Sequence, residues 1–111
     1  MQKKIIFIDI DNTICKTNGT DYINVVPIYD RINKINKWFD EGHEIVYWTA
    51  RGALSEIDYR ELTTCQLKSW GCKYNLLRLD KPLYHEFYDD RAFNSDELDP
   101  IKIDFTAGNL N

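Results

Sequence analysis

The chain has 111 residues, of which 43% are hydrophobic and 29% are charged, and its formal net charge is −4. This length suits one domain with a modest core, and the composition is that of an ordinary globular protein. The acidic balance, without a Lys/Arg-rich run, argues against a nucleic-acid binder, which normally carries a basic footprint. No apolar run approaches the roughly 20 residues of a membrane-spanning helix. We therefore expect a single globular domain over residues 1–111.

The first predicted element is a strand within residues 3–13, whose apolar, largely β-branched run at residues 5–8 ends in two carboxylates one residue apart, Asp9 and Asp11. Such a run is typical of a strand buried on both faces. Parallel α/β sheets bind ligands at the carboxyl ends of their strands, and two close carboxylates repel unless a cation lies between them or one stays protonated. This strand end therefore predicts a site, with a plain Asp/Asn-rich turn as the alternative.

The pattern Asp9-x-Asp11-x-Thr13 after a hydrophobic strand resembles the nucleophile motif of the haloacid dehalogenase (HAD) superfamily of phosphohydrolases. The resemblance implies that Asp9 attacks phosphorus to form an aspartyl-phosphate, a recognised use of a carboxylate nucleophile. It implies that Asp11 protonates the leaving group and then activates water, that Mg²⁺ binds beside them, and that Thr13 belongs to the substrate-binding set. Asn12 stands where the family usually has Gly, a mild departure because Asn tolerates left-handed backbone.

Two elements are predicted next along the chain. Residues 14–26, with the turn formers Asn18-Gly19, predict a short hairpin-like flap over the site. Pro27 then starts a helix, at the position that proline tolerates best, and Gly42 caps its end. Apolar residues recur along this helix at the spacing of one face: Ile28, Ile32, Ile35 and Phe39.

Residues 44–48 predict the second strand, which delivers Thr49 at its carboxyl end. The Thr49 hydroxyl and the amides of the turn at Ala50 and Arg51 are good donors to a phosphate oxygen. The HAD family uses a Ser or Thr at this strand end, and many members have a following Arg. A simple turn cap would otherwise explain Thr49 about as well, but the first motif favours a function. We expect Arg51 to face the site.

Residues 55–70 predict the second helix, which Gly71 ends, and residues 73–79 predict a short third strand. Lys81 follows in a turn fixed by Pro82, where its point charge can bind a phosphate and the aspartate nucleophile. The HAD family requires a lysine in this interval, often as Lys-Pro in its small capless members.

Residues 84–88 predict a fourth strand that ends in Asp89 and Asp90. Hard cations such as Mg²⁺ take oxygen ligands and need few protein carboxylates. In the HAD family the acid at this position completes the Mg²⁺ site with the nucleophile and a main-chain carbonyl, here that of Asp11. We assign Asp89 as the direct ligand, and Asp90 as a second ligand or as a residue that orients Lys81.

The histidines and cysteines belong to no motif. His43 and His85 do not fall at strand ends, which favours roles in the core or on the surface. Cys15, Cys65 and Cys72 lack metal-type spacing and are expected to be reduced thiols.

Residues 96–98 predict a short turn or helix, residues 101–105 alternate and predict a last edge strand, and residues 106–111 are expected to be a flexible tail. The N-terminus leads straight into a strand, which leaves no room for a removable signal peptide. We therefore expect a cytoplasmic location.

Four motifs, each at a strand end or in an adjoining loop, stand in the HAD order: Asp9/Asp11/Thr13, Thr49, Lys81 and Asp89/Asp90. We predict a single-domain, Rossmann-like three-layer α/β fold with a mostly parallel central sheet, in which the first strand is central and the second and fourth flank it. HAD phosphatases carry a cap domain in either of two intervals: here 14–26 is a flap only, and 50–80 is fully used by one helix and a short strand, so we expect no cap domain.

The resemblance implies a Mg²⁺-dependent phosphomonoester hydrolase. Capless relatives with the Thr-Ala-Arg, Lys-Pro and Asp-Asp-Arg patterns resemble phosphatases of capsule and surface-sugar synthesis, so a sugar or polyol phosphate is the expected substrate. Arg51 and Arg91, at the site mouth, are expected to contact the part beyond the phosphate. Because a capless site is open, a second subunit of a homo-oligomer is a candidate to close it. The alternatives are another HAD chemistry such as a phosphotransferase or mutase, a phosphatase for nucleotide or macromolecular phosphates, and a non-catalytic module that holds a phosphorylated ligand.

Overall fold

The computed structural model describes residues 2–100. In chain order its elements are strands β1 (Ile5–Ile8), β2 (Cys15–Asn18) and β3 (Asp21–Pro27), helix α1 (Tyr29–Asp40), strand β4 (Glu44–Trp48), helix α2 (Arg60–Ser69), strand β5 (Leu76–Arg78) and a 3₁₀ helix (Ser95–Leu98). The predicted edge strand at residues 101–105 and the predicted tail at 106–111 lie outside the described residues. No helix within residues 2–100 is long and apolar enough to cross a membrane.

The main sheet has three parallel strands in the order β1-β4-β5. Ile8 of β1 pairs with Tyr47 of β4, and Tyr47 pairs in turn with Leu77 of β5. Within the described residues β4 is therefore the central strand, and the prediction that β1 is central is wrong. The parallel register still brings the carboxyl ends of β1 and β4 to one edge, which places residues 9–11 beside residues 49–51.

Both α-helices pack on the same face of this sheet. The core cluster on that face includes Ile8, Tyr47 and Leu77 from the strands, with Ile32 and Ile35 from α1 and Leu67 from α2. The opposite face carries Ile5, Phe7 and Leu76, whose exposed fractions are 65%, 47% and 50%. Residues 2–100 thus form two layers, a sheet and one layer of helices, instead of the three predicted layers.

The flap is a two-stranded antiparallel hairpin formed by β2 and β3, which confirms the hairpin prediction. Gly19, at its turn, has φ 59. Pro27 pairs with Cys15 and is the last residue of β3, so α1 begins two residues later than predicted. The predicted end of α1 is confirmed, since Gly42 has φ 98 and the next amide, that of His43, donates back to the carbonyl of Trp38 at 3.1 Å.

Helix α2 begins at Arg60, not at residue 55 as predicted. Residues 51–55 form turns instead and residues 56–59 have no regular structure, with left-handed backbone at Gly52 (φ 85) and Glu56 (φ 61). The amide of Glu56 donates to the Gly52 carbonyl at 2.9 Å. A Cβ on Gly52 would lie 2.3 Å from the carbonyl oxygen of Ile57, so this turn requires glycine.

The predicted strand at residues 84–88 is wrong: these residues are irregular and exposed. The segment follows Pro82 and has His85 and Glu86 in its middle. Its apolar side chains pack on each other, with the rings of Tyr84 and Phe87 5.2 Å apart, instead of lying on a sheet.

Candidate functional site

Asp9 and Lys81 form the centre of the site. Asp9 follows β1, and its Oδ1 accepts a hydrogen bond from the amide of Ile10 at 2.8 Å, while its Oδ2 lies 3.3 Å from Lys81 Nζ. Burial raises the pKa of Asp9, although Lys81 and the Ile10 amide act in the opposite direction. The Asp9 side chain nevertheless remains 37% exposed, so its carboxylate is accessible to a ligand.

Lys81 is held at the end of β4 by several contacts. Its amide donates to the carbonyl of Thr49 at 3.2 Å, and its ammonium lies 5.6 Å from the centre of the Trp48 ring and 5.3 Å from that of Tyr84. Burial by itself would lower the pKa of Lys81, but interaction with Asp9 and Tyr84 outweighs it and the pKa is raised. The ammonium is therefore a fixed, charged donor beside the Asp9 carboxylate.

An open cleft of about 210 Å³ lies at this point. Its lining consists of Asp9, Ala50, Lys81, Pro82, Leu83 and Tyr84. Thr49 directly precedes Ala50 and is 1% exposed. Its hydroxyl oxygen accepts a hydrogen bond from the Arg51 amide at 3.2 Å. The hydroxyl proton of Thr49 is thus still available for donation. The structure brings together the predicted Asp9, Ala50 and Lys81, with Thr49 adjacent to them.

Asp11 is fixed by Arg51 through two parallel hydrogen bonds. Arg51 Nε donates to Asp11 Oδ2 at 3.0 Å, and Arg51 Nη2 donates to Asp11 Oδ1 at 2.9 Å. Thr17, on the hairpin, also donates to Asp11 Oδ1 at 2.6 Å. The Asp11 side chain is 20% exposed, so it is held in one orientation at the edge of the core.

Arg51 faces the site residue Asp11, as predicted, but the prediction that it lies at the site mouth is wrong. Its side chain is 0% exposed and cannot contact a substrate from the site mouth. Its remaining donors bind Thr63 at 3.1 Å and Gln66 at 2.6 Å on α2, and its guanidinium lies 4.9 Å from the Tyr22 ring of the hairpin. Arg51 therefore acts on the site through Asp11.

Gln66 also ties α2 to the hairpin, because its side-chain amide donates to the carbonyl of Tyr22 at 2.6 Å. Sequence reasoning missed Thr17, Tyr22, Thr63 and Gln66 as parts of the site. One signal existed, since Gln66 is a polar residue that shares the spacing of one helical face with Leu62 and Trp70. The hairpin thus contacts the site through Asp11 and Arg51, away from the cleft beside Lys81.

The local backbone of the first motif agrees with its sequence. Asn12 has φ 60, the left-handed conformation expected where the HAD family has Gly. Its amide donates to the Cys15 carbonyl at 2.7 Å, and its side-chain oxygen accepts from the Thr17 amide at 3.1 Å. Thr13 is half-buried, and its carbonyl accepts from Arg31 at 3.1 Å, which ties the motif to α1.

Asp89, Asp90 and Arg91 all lie in the exposed segment that follows Lys81. Asp89 accepts a hydrogen bond from the Arg91 amide at 2.7 Å, a local turn contact. They are not among the residues that line the cleft, because residues 84–88 do not form the strand that was predicted to deliver them. Their roles as metal ligands and substrate contact stay predictions.

The donor atoms near Asp9 can supply part of the ligand set of a metal such as Mg²⁺. No three His, Cys, Asp or Glu side chains within residues 2–100 come together as a metal-holding group. Mg²⁺ commonly uses only one or two protein carboxylates and completes its shell with water and substrate phosphate. The accessible Asp9 carboxylate meets that requirement, whereas both oxygens of the Asp11 carboxylate are already bonded to Arg51.

The two histidines lie in the core and on the surface, as predicted. His43 is 7% exposed and its Nδ1 accepts from the Lys4 amide at 3.0 Å, while His85 is exposed. The three cysteines are free thiols. Cys15 is buried, which raises the pKa of its thiol and argues against a nucleophile.

Comparison with known proteins bears on the fold. A solved structure of a structural-genomics target from Vibrio cholerae is similar, with a TM-score of 0.78 and 29% sequence identity over 92% of this chain and 91% of that chain. No protein-family model matches the chain, and no curated protein matches it. The two chains thus share a fold over nearly their whole lengths.

Proposed function

We propose that this protein is a phosphomonoester hydrolase of the HAD type, with a Rossmann-like fold and no cap. One observation carries the proposal: the Asp9 carboxylate lies 3.3 Å from Lys81 Nζ in an open cleft at the carboxyl end of a parallel sheet. An accessible carboxylate beside a fixed cation suits attack on a phosphorus atom whose oxygens the cation binds. The nearby, rigidly held Asp11 supplies the second carboxylate that such a reaction needs.

In the proposed first step, an Asp9 oxygen forms a bond to phosphorus as the bond from phosphorus to the leaving oxygen breaks. Lys81 Nζ binds a phosphoryl oxygen and offsets the charge that moves onto it. Thr49 and the amides of the Ala50 turn are the further donors that we propose for the same group. In the second step, water attacks the aspartyl-phosphate at phosphorus, which releases inorganic phosphate and restores Asp9.

Asp11 is the proposed proton carrier. It gives a proton to the leaving oxygen in the first step and takes one from water in the second. Within the described part of the chain, Asp11 Oδ1 accepts from Thr17, Arg51 and, at 3.8 Å, the Cys15 thiol, whereas Oδ2 accepts from Arg51 alone. Since a carboxylate oxygen has two lone pairs, Oδ2 is the atom with room for the transferred proton.

Mg²⁺ is the proposed cofactor, held by the Asp9 carboxylate and the main-chain carbonyl of Asp11. Asp89 or Asp90 would join them if the segment after Lys81 reaches the end of β1. When bound, Mg²⁺ would neutralise phosphate charge during the transfer.

The direct test is hydrolysis of 4-nitrophenyl phosphate by the whole chain. We expect phosphate release with Mg²⁺ that EDTA abolishes and excess Mg²⁺ restores. Asp9→Asn keeps the shape but removes the nucleophile, so kcat should fall at least about 10³-fold. Asp80→Asn is the matched control, because Asp80 is exposed and pairs with Arg78 and Trp48 outside the cleft lining.

Three outcomes would contradict the proposal. Equal rates with Mg²⁺ and with EDTA would rule out Mg²⁺ as the cofactor. Activity of Asp9→Asn within about tenfold of the parent would rule out Asp9 as the nucleophile. Binding of phosphorylated compounds without any turnover would favour the non-catalytic alternative.

A further inference from the structure

The wall of the cleft next to Lys81 is aromatic and apolar. Pro82, Leu83 and Tyr84 form this wall, and Leu83 and Tyr84 keep 54% and 45% of their surface exposed. The Tyr84 ring centre lies 5.3 Å from Lys81 Nζ, which in turn lies 3.3 Å from Asp9. A phosphate bound at Lys81 therefore places the remainder of its molecule within reach of the Tyr84 ring.

The charges around the cleft are matched to a single phosphate. Among the six described residues that line the cleft, Lys81 is the one cation. The neighbouring Arg51 is buried against Asp11, and Arg78 is paired with Asp80 at 2.6 Å. A second phosphate on the substrate would meet the Leu83–Tyr84 wall without a cation among the lining residues.

Tyr84 is also braced in its position. Its ring contacts the Phe87 ring at 5.2 Å, and Lys81 bridges it to Trp48, whose ring centre lies 5.6 Å from the same ammonium. A braced, half-exposed ring loses little conformational freedom when a flat ligand packs on it. The wall is thus suited to a ring with an uncharged face.

From these contacts we propose that Tyr84 is the specificity-determining residue of a subsite for the leaving group. The subsite selects monophosphates whose leaving group contains a ring with an uncharged, apolar face, either an aromatic ring or a pyranose that presents its C–H bonds. This inference rests on the proposed phosphatase function and names the substrate class of the same site.

The test compares two ring-bearing substrates and one ringless substrate in the variants Tyr84→Leu, Tyr84→Phe and Tyr88→Leu. Glucose 6-phosphate and phenyl phosphate represent the pyranose and the aromatic ring, and glycerol 3-phosphate is the ringless reference. We expect Tyr84→Leu to lower kcat/KM for at least one ring-bearing substrate about tenfold more than for glycerol 3-phosphate, mainly through KM. Tyr84→Phe keeps the ring, so the ratio of kcat/KM for the ring-bearing substrates to kcat/KM for glycerol 3-phosphate should stay within about twofold of the parent. Tyr88→Leu changes an 88% exposed residue outside the cleft lining and should leave the same ratio unchanged.

The choice of substrates separates the subsite from an indirect effect on Lys81. If Tyr84 acted only by holding Lys81, Tyr84→Leu would lower kcat/KM for all three substrates equally, and that result would overturn the proposal. An unchanged ratio in Tyr84→Leu, or a similar change in Tyr88→Leu, would also overturn it. A drop for glucose 6-phosphate alone identifies the pyranose, and a drop for phenyl phosphate alone identifies the aromatic ring.

A binding measurement keeps this inference distinct from the proposed function. In Asp9→Asn, where turnover is blocked, calorimetry gives Kd for glucose 6-phosphate, phenyl phosphate and glycerol 3-phosphate with and without Tyr84→Leu. A ring-selective loss of affinity would support the subsite even if the parent protein hydrolysed nothing. An equal loss for all three compounds, or no loss, would reject the subsite even if the parent were an active phosphatase.

Weaker binding of fructose 1,6-bisphosphate than of fructose 6-phosphate is expected from the single cation, and the reverse order would contradict the charge argument.

Discussion

The Asp9 carboxylate is held where its environment favours the neutral form. Burial raises its pKa, and the attraction of Lys81 and the Ile10 amide offsets only part of this effect. A folded-state pKa above the unfolded value means that the folded protein binds the proton more tightly. Ionised Asp9 therefore costs stability, which is a common property of residues placed for reactivity.

This electrostatic cost gives a prediction with a defined sign. In metal-free protein, the free energy of unfolding of the parent relative to Asp9→Asn should fall between about pH 4 and about pH 7, as Asp9 ionises. Asp80 supplies a control of opposite sign at lower pH, because its hydrogen bond with Arg78 lowers its pKa, so the parent should gain stability relative to Asp80→Asn as the pH rises from about 3 to about 5. Urea unfolding with EDTA across about pH 3 to about pH 7 measures the two differences. The same sign for both variants would contradict the assignment for Asp9.

At the scale of elements, α2 and the β2–β3 hairpin together hold Asp11 through Arg51. Arg51 reaches Thr63 and Gln66 on α2, and the hairpin supplies Tyr22 beneath the guanidinium. Helix α2, the hairpin and the segment after β1 that carries Asp11 thus meet at one buried cation. The orientation of Asp11 depends on that junction as much as on its own strand.

Replacement of Arg51 by Lys tests this dependence. Lysine keeps the charge but cannot make two parallel hydrogen bonds to a carboxylate, so Asp11 should lose its fixed orientation. We expect kcat to fall about tenfold to about a hundredfold, with a larger loss for an alkyl phosphate, which needs the proton from Asp11, than for 4-nitrophenyl phosphate. Arg60→Lys is the control, since Arg60 is exposed and its side chain donates to the Leu77 carbonyl at 3.4 Å, away from Asp11. Equal losses for both substrates would indicate general damage to the fold.

Elements with local signals were predictable from the sequence, whereas those that depend on distant partners were not. The hydrophobic strand before Asp9, the hairpin turn at Gly19 and the helix end at Gly42 follow from periodicity and turn chemistry. The predicted strand at residues 84–88 failed because strand formation needs a neighbouring edge, which sequence pattern does not supply. The start of α2 failed because the left-handed turns at residues 52 and 56 leave no periodic signal.

The site was predictable in its positions but not in its contacts. Asp9 and Lys81 are 72 residues apart in sequence and meet because parallel strands align their carboxyl ends. The buried position of Arg51 depends on Thr63 and Gln66, which lie on α2. The sequence indicated this contact only through the polar Gln66. Packing of this kind is a property of the assembled fold.

For the whole molecule, the layered fold sets what the site can do. The sheet gathers Asp9, Thr49 and Lys81 at one edge, while both helices cover a single face. The cleft is open to solvent above Asp9 and bounded on one side by Tyr84. Under the proposed function, a phosphate would bind at the base of this cleft and the cleft wall would recognise the rest of the substrate.

The most direct test of the central claim is chemical capture of the aspartyl-phosphate on Asp9. Borohydride reduces an acyl phosphate to an alcohol, so trapping during steady turnover of 4-nitrophenyl phosphate with Mg²⁺ should convert Asp9 to homoserine, as read by peptide mass spectrometry. The modification should be absent without substrate, with EDTA and in Asp9→Asn. Turnover without homoserine at position 9, or with homoserine at another aspartate, would contradict the account.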